Sequence, residues 1–398
     1  MNQKSDGLLF KLSLLSISTV LMLAASIAPA LPLMTQHYAN QSQSSVELLL
    51  TVPNFGIILA LFVSPICVKF LGKKVTVLIG LSLALLTGAI PLFMDSFQLV
   101  FVSRFLFGFG VGLFNSLAVS LLADFYTGDE LAGMMGFQTV ASAIGAATAS
   151  FAVSFLVTKG WQASFAIYLL IIPVLVLFAL FVPIKENKQV EEATIVKEKQ
   201  TVNSSVLVLT GLIFALFAFY MVIPIKLPEF VMTKELGSMS SVSIITAIST
   251  LVGIPIGILY GKLNKLFKEN LLLIGLSIIT LGFTTITFSN SLLLVTIGVL
   301  LAGIGFGITI PFIYTKVAMV APKNSVNLAY TFILIATNIG VFSSPLIINS
   351  LGKLFNMQRV ESSMLLAVFG FAFLLIIAFI SRLKTKNTTH SVDAKGEI

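Results

Sequence analysis

The stretch FVSRFLFGFGVGLFNS, residues 101–116, carries one charge, Arg104, followed by three glycines at alternate positions, Gly108, Gly110 and Gly112. It lies inside an apolar run, 97–123, that holds no other charged side chain. About 20 predominantly apolar residues in helical form cross a hydrocarbon core about 30 Å thick. The run therefore reads as a membrane-spanning helix. A charged side chain near the centre of such a helix costs about 2.5–3.5 kcal/mol even on insertion scales, so this arginine needs a use.

Eleven further runs of the same kind flank it: 8–34, 46–68, 75–94, 133–157, 162–183, 205–225, 241–261, 270–288, 292–319, 326–351 and 361–381. Of the 398 residues, 57% are hydrophobic and 10% charged, where a soluble domain is about a quarter charged. A helix satisfies its own backbone polar groups in lipid. The alternative, a barrel, needs short alternating strands, and the chain has none. The fold class expected is all-α integral membrane, with 12 transmembrane helices as two six-helix repeats around a central cavity. The first run follows Lys4 and Lys11 and ends near Ala28-Pro29-Ala30, as a secretory leader does, but it is too long for a leader's apolar core.

The net charge of +8 is spread over short loops. That argues for membrane orientation rather than a nucleic-acid partner. Eighteen Lys and Arg fall on the side of the termini and five on the other. The termini are therefore expected in the cytoplasm, with the protein multi-pass in the cell membrane. One cysteine, Cys67, allows no internal disulfide, and His37 and His390 lie in loops, so neither a metal nor a catalytic centre is expected at membrane depth. No nucleotide-binding G-x-x-x-x-G-K-S/T loop occurs. No cofactor is expected and the chain is not read as an enzyme.

The longest charged segment lies midway. It divides the chain into a first half (1–183), a linker (184–204), a second half (205–382) and a polar tail (383–398). The halves repeat. Shifted by 195 residues, LIGLS at 78–82 falls on LIGLS at 273–277, and Gly108, Gly110 and Gly112 fall on Gly303, Gly305 and Gly307. Gly145 falls on Gly340 and Pro29 on Pro224, while Arg104 falls on Val299. Two parallel repeats related by an axis along the membrane normal are a known transporter plan. The scaffold itself does not demand the arginine, since one half lacks it.

Arg104-Phe-Leu-Phe-Gly108-Phe-Gly110 resembles the Arg-x-x-x-Gly-x-Gly motif on helix 4 of the major facilitator superfamily, and the likeness extends over essentially the whole chain. It implies alternating access and associates Arg104 with proton coupling. Other motifs are partial. The segment after the second run, SPICVKFLGKK (64–74), keeps Gly72, Lys73 and Lys74 but has Lys69 where the family usually has an acid. The fifth run keeps Gly145 but has Ala146 where many antiporters have proline. The acid early in the first run of many cation exporters is absent.

Arg104, Gly108, Val111 and Asn115 share a helical face. Arg104 is expected either as a fixed charge in the cavity, holding an anion or favouring proton release from a neighbouring acid, or as a side chain reaching for the membrane surface. The glycines Gly108, Gly110, Gly112, Gly145, Gly303, Gly305, Gly307 and Gly340 are expected to let helices pack closely. A latch between Lys69 and Asp124 is expected on the side of the termini, in the segment that includes Gly72, Lys73 and Lys74. On the other side, Lys226 and Glu229 stand one helical turn apart, able to pair, in a segment broken by Pro224 and Pro228 that suits an outer gate. Glu47 and Glu229, the acids nearest to a span, are expected at the solvated interface. Asn54, Gln138, Ser142, Tyr220, Tyr314 and Asn338 are the polar candidates for a sparsely polar pocket, alongside Asn115. The function expected is proton-coupled efflux of a small amphiphilic solute by a monomer in the lipid bilayer, with uptake of a nutrient or organic anion as the alternative.

Overall fold

The computed structural model describes residues 7–183, 201–322 and 325–393. Most of the expected linker and the last five residues of the tail lie outside them. Among the described residues every regular element is helical. Nine helices are long and apolar enough to cross a membrane, or ten if the bent first pair is one span. Two of the nine, of 50 and 49 residues, are far longer than the roughly 20 residues a bilayer requires. One breaks at Gly72, whose φ of 78° is left-handed, and the other at Lys268, φ 47°. Dividing them there gives twelve crossings.

These are α1 (Leu8–Val20 continued by Leu23–His37), α2 (43–71), α3 (73–92), α4 (Phe97–Phe125), α5 (Gly128–Leu156) and α6 (Gln162–Phe181). The second set is α7 (Ser204–Thr233), α8 (Met239–Phe267), α9 (Leu271–Thr287), α10 (Leu292–Val320), α11 (Val326–Leu354) and α12 (Val360–Asp393). Three spans depart from the straight helices expected. The two pieces of α1 meet at 45°, with a 3-10 turn over Leu23–Ala30. The first part of α6, Gln162–Leu170, is also 3-10. Last, α7 bends at Met221 and resumes as Val222–Thr233. Pro224 falls in the first turn after this interruption, where its missing N–H has no intrahelical use, while the helix continues through Pro228 rather than breaking there. The polar tail is not wholly irregular, since α12 runs on to Asp393.

Two large hydrophobic clusters organise the twelve helices, one built from Phe10 to Val182 with Ile225, the other from Val206 to Leu374. The repeat is visible in the packing. At Gly145 an added Cβ would run into Thr19 of α1, and at Gly340, 195 residues on, into Phe214 of α7. Gly110 packs on Gly80 of α3 and Gly305 on Gly275 of α9, again in the same register. Many large apolar side chains, Phe93, Ile258 and Phe373 among them, are exposed. In a membrane these face lipid.

Connectivity puts the chain ends, the Gly72 turn and the α4–α5 loop on one face, here called proximal, and the α1–α2 and α7–α8 connections on the distal face. The two halves meet distally. Phe55 of α2 stacks on Phe342 of α11 with centroids 5.2 Å apart, and Thr51 donates to the Phe342 carbonyl at 3.2 Å. Proximally they part. No residue of α8 from 248 to 267 is buried, and around Gly133 and Gly136 of α5 and Gly253, Gly257 and Gly261 of α8 an added Cβ would meet open space.

Candidate functional site

The distal closure centres on an ion pair. Ser42 caps α2, accepting from the Ser45 amide at 3.2 Å, and the helix then carries Glu47 inward at its second turn. From the other half, the distal piece of α7 sends Ile225 into the first hydrophobic cluster and Leu227 and Phe230 into the second. Lys226, between them, is drawn into the seam. Its Nζ donates to Glu47 Oε1 at 2.5 Å and to Asn349 Oδ1 of α11 at 3.0 Å. Asn349 Nδ2 in turn donates to Glu47 Oε2 at 2.7 Å and to Ser44 Oγ at 3.1 Å. The two ionised residues are 3% and 2% exposed. A charge so buried is tolerable only when paired and hydrogen-bonded, and here both carboxylate oxygens are engaged.

This arrangement revises two expectations. Glu47 is buried rather than solvated. Lys226 does not pair with Glu229, because two other helices converge on its amine, and Glu229 instead accepts from Gln43 Nε2 of α2 at 3.1 Å. A cavity of about 270 Å³ adjoins the pair, lined by Thr35, Gln36, Glu47 and Glu229 among others. Thr35 and Gln36 are exposed at the surface, so the cavity brings the distal aqueous side up to Glu47.

Arg104 lies elsewhere, wholly buried inside the first half, so it does not reach for the membrane surface. Its Nε donates to the Leu49 carbonyl of α2 and an Nη to the Ala24 carbonyl of α1, each at 2.9 Å. The other Nη donates to the Tyr168 hydroxyl of α6. The guanidinium also sits 5.3 Å from the Phe107 ring, 5.5 Å from Tyr168 and 5.8 Å from Phe165, and such cation–π contacts add about 0.5–2 kcal/mol each. Its hydrogen-bond partners are carbonyls and a phenol, all from its own half.

Close helix contact makes this possible. At Gly108 an added Cβ would strike the Pro53 backbone, and at Gly112 it would lie 2.8 Å from Ile57 Cα. So α4 and α2 run parallel, backbone against backbone, and Arg104, one turn before Gly108, comes level with Leu49, one turn before Pro53. Asn115, further along α4, is half-buried.

The proximal latch is also revised. Asp124, at the end of α4, pairs with Lys73 at 2.5 Å, while Lys69 is exposed with its amine 6.0 Å from the Phe70 ring. The Gly72 turn is the reason: it ends α2 and makes Lys73 the first residue of α3, beside α4. Lys74 donates to the Ala179 carbonyl of α6 at 2.9 Å. In the second half Lys316 of α10 pairs with Glu269 before α9 at 2.6 Å. Each pair is internal to one half.

The remaining polar candidates are dispersed. Asn54 donates to Thr51 O at 3.1 Å and Ser142 to Gln138 O at 3.1 Å, with Asn54, Gln138 and Ser142 all half-buried. Tyr220 stacks on Phe306 at 4.0 Å and Tyr314 on Tyr330 at 5.9 Å. Asn338 is buried and bonds back to Leu334 O at 2.9 Å. Gly303 and Gly307 meet side chains of α8, Ser249 Oγ at 2.8 Å and Ile256 Cγ2 at 3.2 Å. Asn349 and Tyr168 were not singled out from sequence. Nothing marks them in a linear reading, whereas Pro53, which leaves a helical carbonyl without its usual donor, was a legible sign near Arg104.

A twelve-helix membrane fold in two repeated halves, clasped at one face and parted at the other, is the plan of a membrane transporter. The chain belongs to the Major Facilitator Superfamily, whose family profile matches residues 13–345 and 208–397. No curated protein matches it by sequence. Among solved structures it is similar to a point mutant of the nucleoside transporter NupG at TM-score 0.78 and 13% identity, covering 93% of this chain and 99% of that one. A bacterial homologue of the human lysosomal transporter Spinster, inward-facing and unoccupied, gives TM-score 0.72 at 16% identity, covering 93% and 96%. The inward-open xylose transporter XylE from E. coli gives 0.70 at 16%, covering 92% and 94%. At such identities the likeness concerns the fold.

Proposed function

We propose that this transporter exports a small amphiphilic solute in exchange for protons, and that Glu47 carries the proton. The observation that carries the reading is the buried Glu47–Lys226 pair bridging the two halves beside a cavity that opens distally. The excess of Lys and Arg on the proximal side supports a cytoplasmic location for that side by the positive-inside rule, and on that reading the conformation described is inward-facing with its outer gate closed. A proton arriving through the distal cavity neutralises Glu47 and leaves Lys226 as a buried unpaired charge. Losing one partner of a buried pair costs about 3–5 kcal/mol, enough to shift the balance between two conformations by orders of magnitude. External acid therefore favours opening of the outer gate, release of the solute outward and entry of the proton. The sparse polarity of Asn54, Asn115, Gln138, Ser142, Tyr220, Tyr314 and Asn338 suits a solute held mainly by apolar and aromatic contact.

A second reading, inward symport, draws on Ala146 in place of the antiporter proline and on the absence of an acid early in α1. One experiment separates them. Proteoliposomes with an internal pH dye receive a panel of cationic, neutral and anionic amphiphiles under an imposed proton gradient, with wild type and Glu47→Gln in parallel. Exchange gives proton movement opposite to solute movement, abolished by Glu47→Gln, whereas symport gives both in the same direction. Solute flux with no proton flux, or an unchanged Glu47→Gln variant, would overturn the coupling role.

A further inference from the structure

Pro53 lies in the interior of α2, and the helix continues through it. A proline in a helix interior removes the hydrogen bond to the carbonyl four residues earlier. That carbonyl is Leu49, the one that accepts from Arg104 Nε at 2.9 Å. Glu47 of the outer gate stands two residues before Leu49. The second half lacks both members of the arrangement, with Ile248 at the position of Pro53 and Val299 at that of Arg104. A buried carbonyl left without a donor is costly, so the arginine and the proline answer one another.

We propose that Arg104 is a positioning residue: its guanidinium supplies the hydrogen bond that Pro53 takes from Leu49, and so fixes the first turns of α2 and the place of Glu47 in the outer gate. The charge of Arg104 is not what moves a proton or holds the solute. Three directional donors, to α2, to the 3-10 turn of α1 and to Tyr168 of α6, hold three helices in one arrangement around the root of the gate. A lysine keeps the charge but offers no planar fork of donors. The inference rests on reading the Glu47–Lys226 pair as the gate.

The test uses the full chain in proteoliposomes on a Cys67→Ser background, with Ile225→Cys, a lining residue of the distal cavity that is 3% exposed while the gate is closed, as the reporter. Labelling by a membrane-impermeant maleimide reads the gate, and solute flux over roughly three pH units about neutrality reads coupling. Arg104→Lys is expected to raise labelling about fivefold, lower flux about tenfold and displace the pH profile. Adding Pro53→Ala, which returns an N–H to the Leu49 carbonyl, is expected to bring all three readings back to within about threefold of wild type. Pro53→Ala alone is expected to stay within that range. Arg104→Ala, assayed for folding by size-exclusion profile, is expected to follow Arg104→Lys and to be rescued alike. Wild-type behaviour of Arg104→Lys would overturn the proposal in favour of a role for the charge itself, and a double variant as impaired as the single would overturn it in favour of the bonds to Ala24 and Tyr168. Glu47→Gln in the same assay keeps the two levels separate. If it leaves labelling unchanged, the gate reading fails; if it raises labelling while Pro53→Ala gives no rescue, only the positioning role fails.

Discussion

The two copies of one helix, α4 and α10, occupy equivalent places and differ in what they hold. Both are 29 residues long, and both carry the three alternating glycines in the same register. In α4 Gly108 and Gly112 press on α2, at the backbone of Pro53 and Ile57, and an arginine one turn before Gly108 is tied to three neighbouring helices. In α10 the equivalents of Gly108 and Gly112 meet side chains of α8, and the equivalent of Arg104 is Val299, buried and apolar. The proximal stretch of α8 from 248 is unburied. The first half is thus the stiffer of the two around its α2–α4 contact, while in the second half α8 has room to move against α10.

The largest expected effect in breaking this difference comes from placing the arginine in the wrong copy. Val299→Arg buries a guanidinium where α8 has Ile248 at the position of Pro53, so that the Ile244 carbonyl is not freed, and a cost of about 2.5–3.5 kcal/mol should appear as a severalfold fall in membrane-inserted yield on a calibrated immunoblot. Next in size is the paired glycine test. Gly108→Ala meets the Pro53 backbone, which cannot step aside, and overpacking of this kind costs about 1–3 kcal/mol. Gly303→Ala meets the Ser249 hydroxyl, which can rotate. Thermal unfolding in detergent should show a clear drop for the first and little change for the second; equal drops would erase the contrast between halves. Tyr168→Phe removes one hydrogen bond to the buried guanidinium, worth about 1.5–3 kcal/mol, and should lower the unfolding temperature while the ring contact with Phe107 remains. Smallest are Lys73→Ala and Lys316→Ala. Their pairs are about a third exposed, and surface pairs contribute at most about 1 kcal/mol. Both should shift unfolding by little more than error, with Lys69→Ala still less because Asp124 is already engaged by Lys73.

Much of this was legible in the chain. The apolar runs, the 195-residue register and the isolation of Arg104 are properties of order along the sequence, and each reappears as helices, as matched glycine contacts and as a buried arginine with no counterpart. The gate was not legible. Lys226 and Glu47 are 179 positions apart, and a local reading paired Lys226 with Glu229, its neighbour on a helical turn. The proximal latch failed for another reason: Lys69 was paired with Asp124 because it stands where the family usually has an acid, whereas the Gly72 turn sets Lys73 beside Asp124.

The sequence by itself determined that the chain spans the membrane as helices, that it is doubled, and that one buried charge needs an explanation, because hydropathy, periodicity and repetition act locally and leave their mark in residue order. Only the tertiary structure decided which charges meet. Ion pairs and freed carbonyls are satisfied across helices, and partner choice depends on where each helix bends, at Met221, at Gly72 and between Val20 and Leu23, which the packing of all twelve sets together.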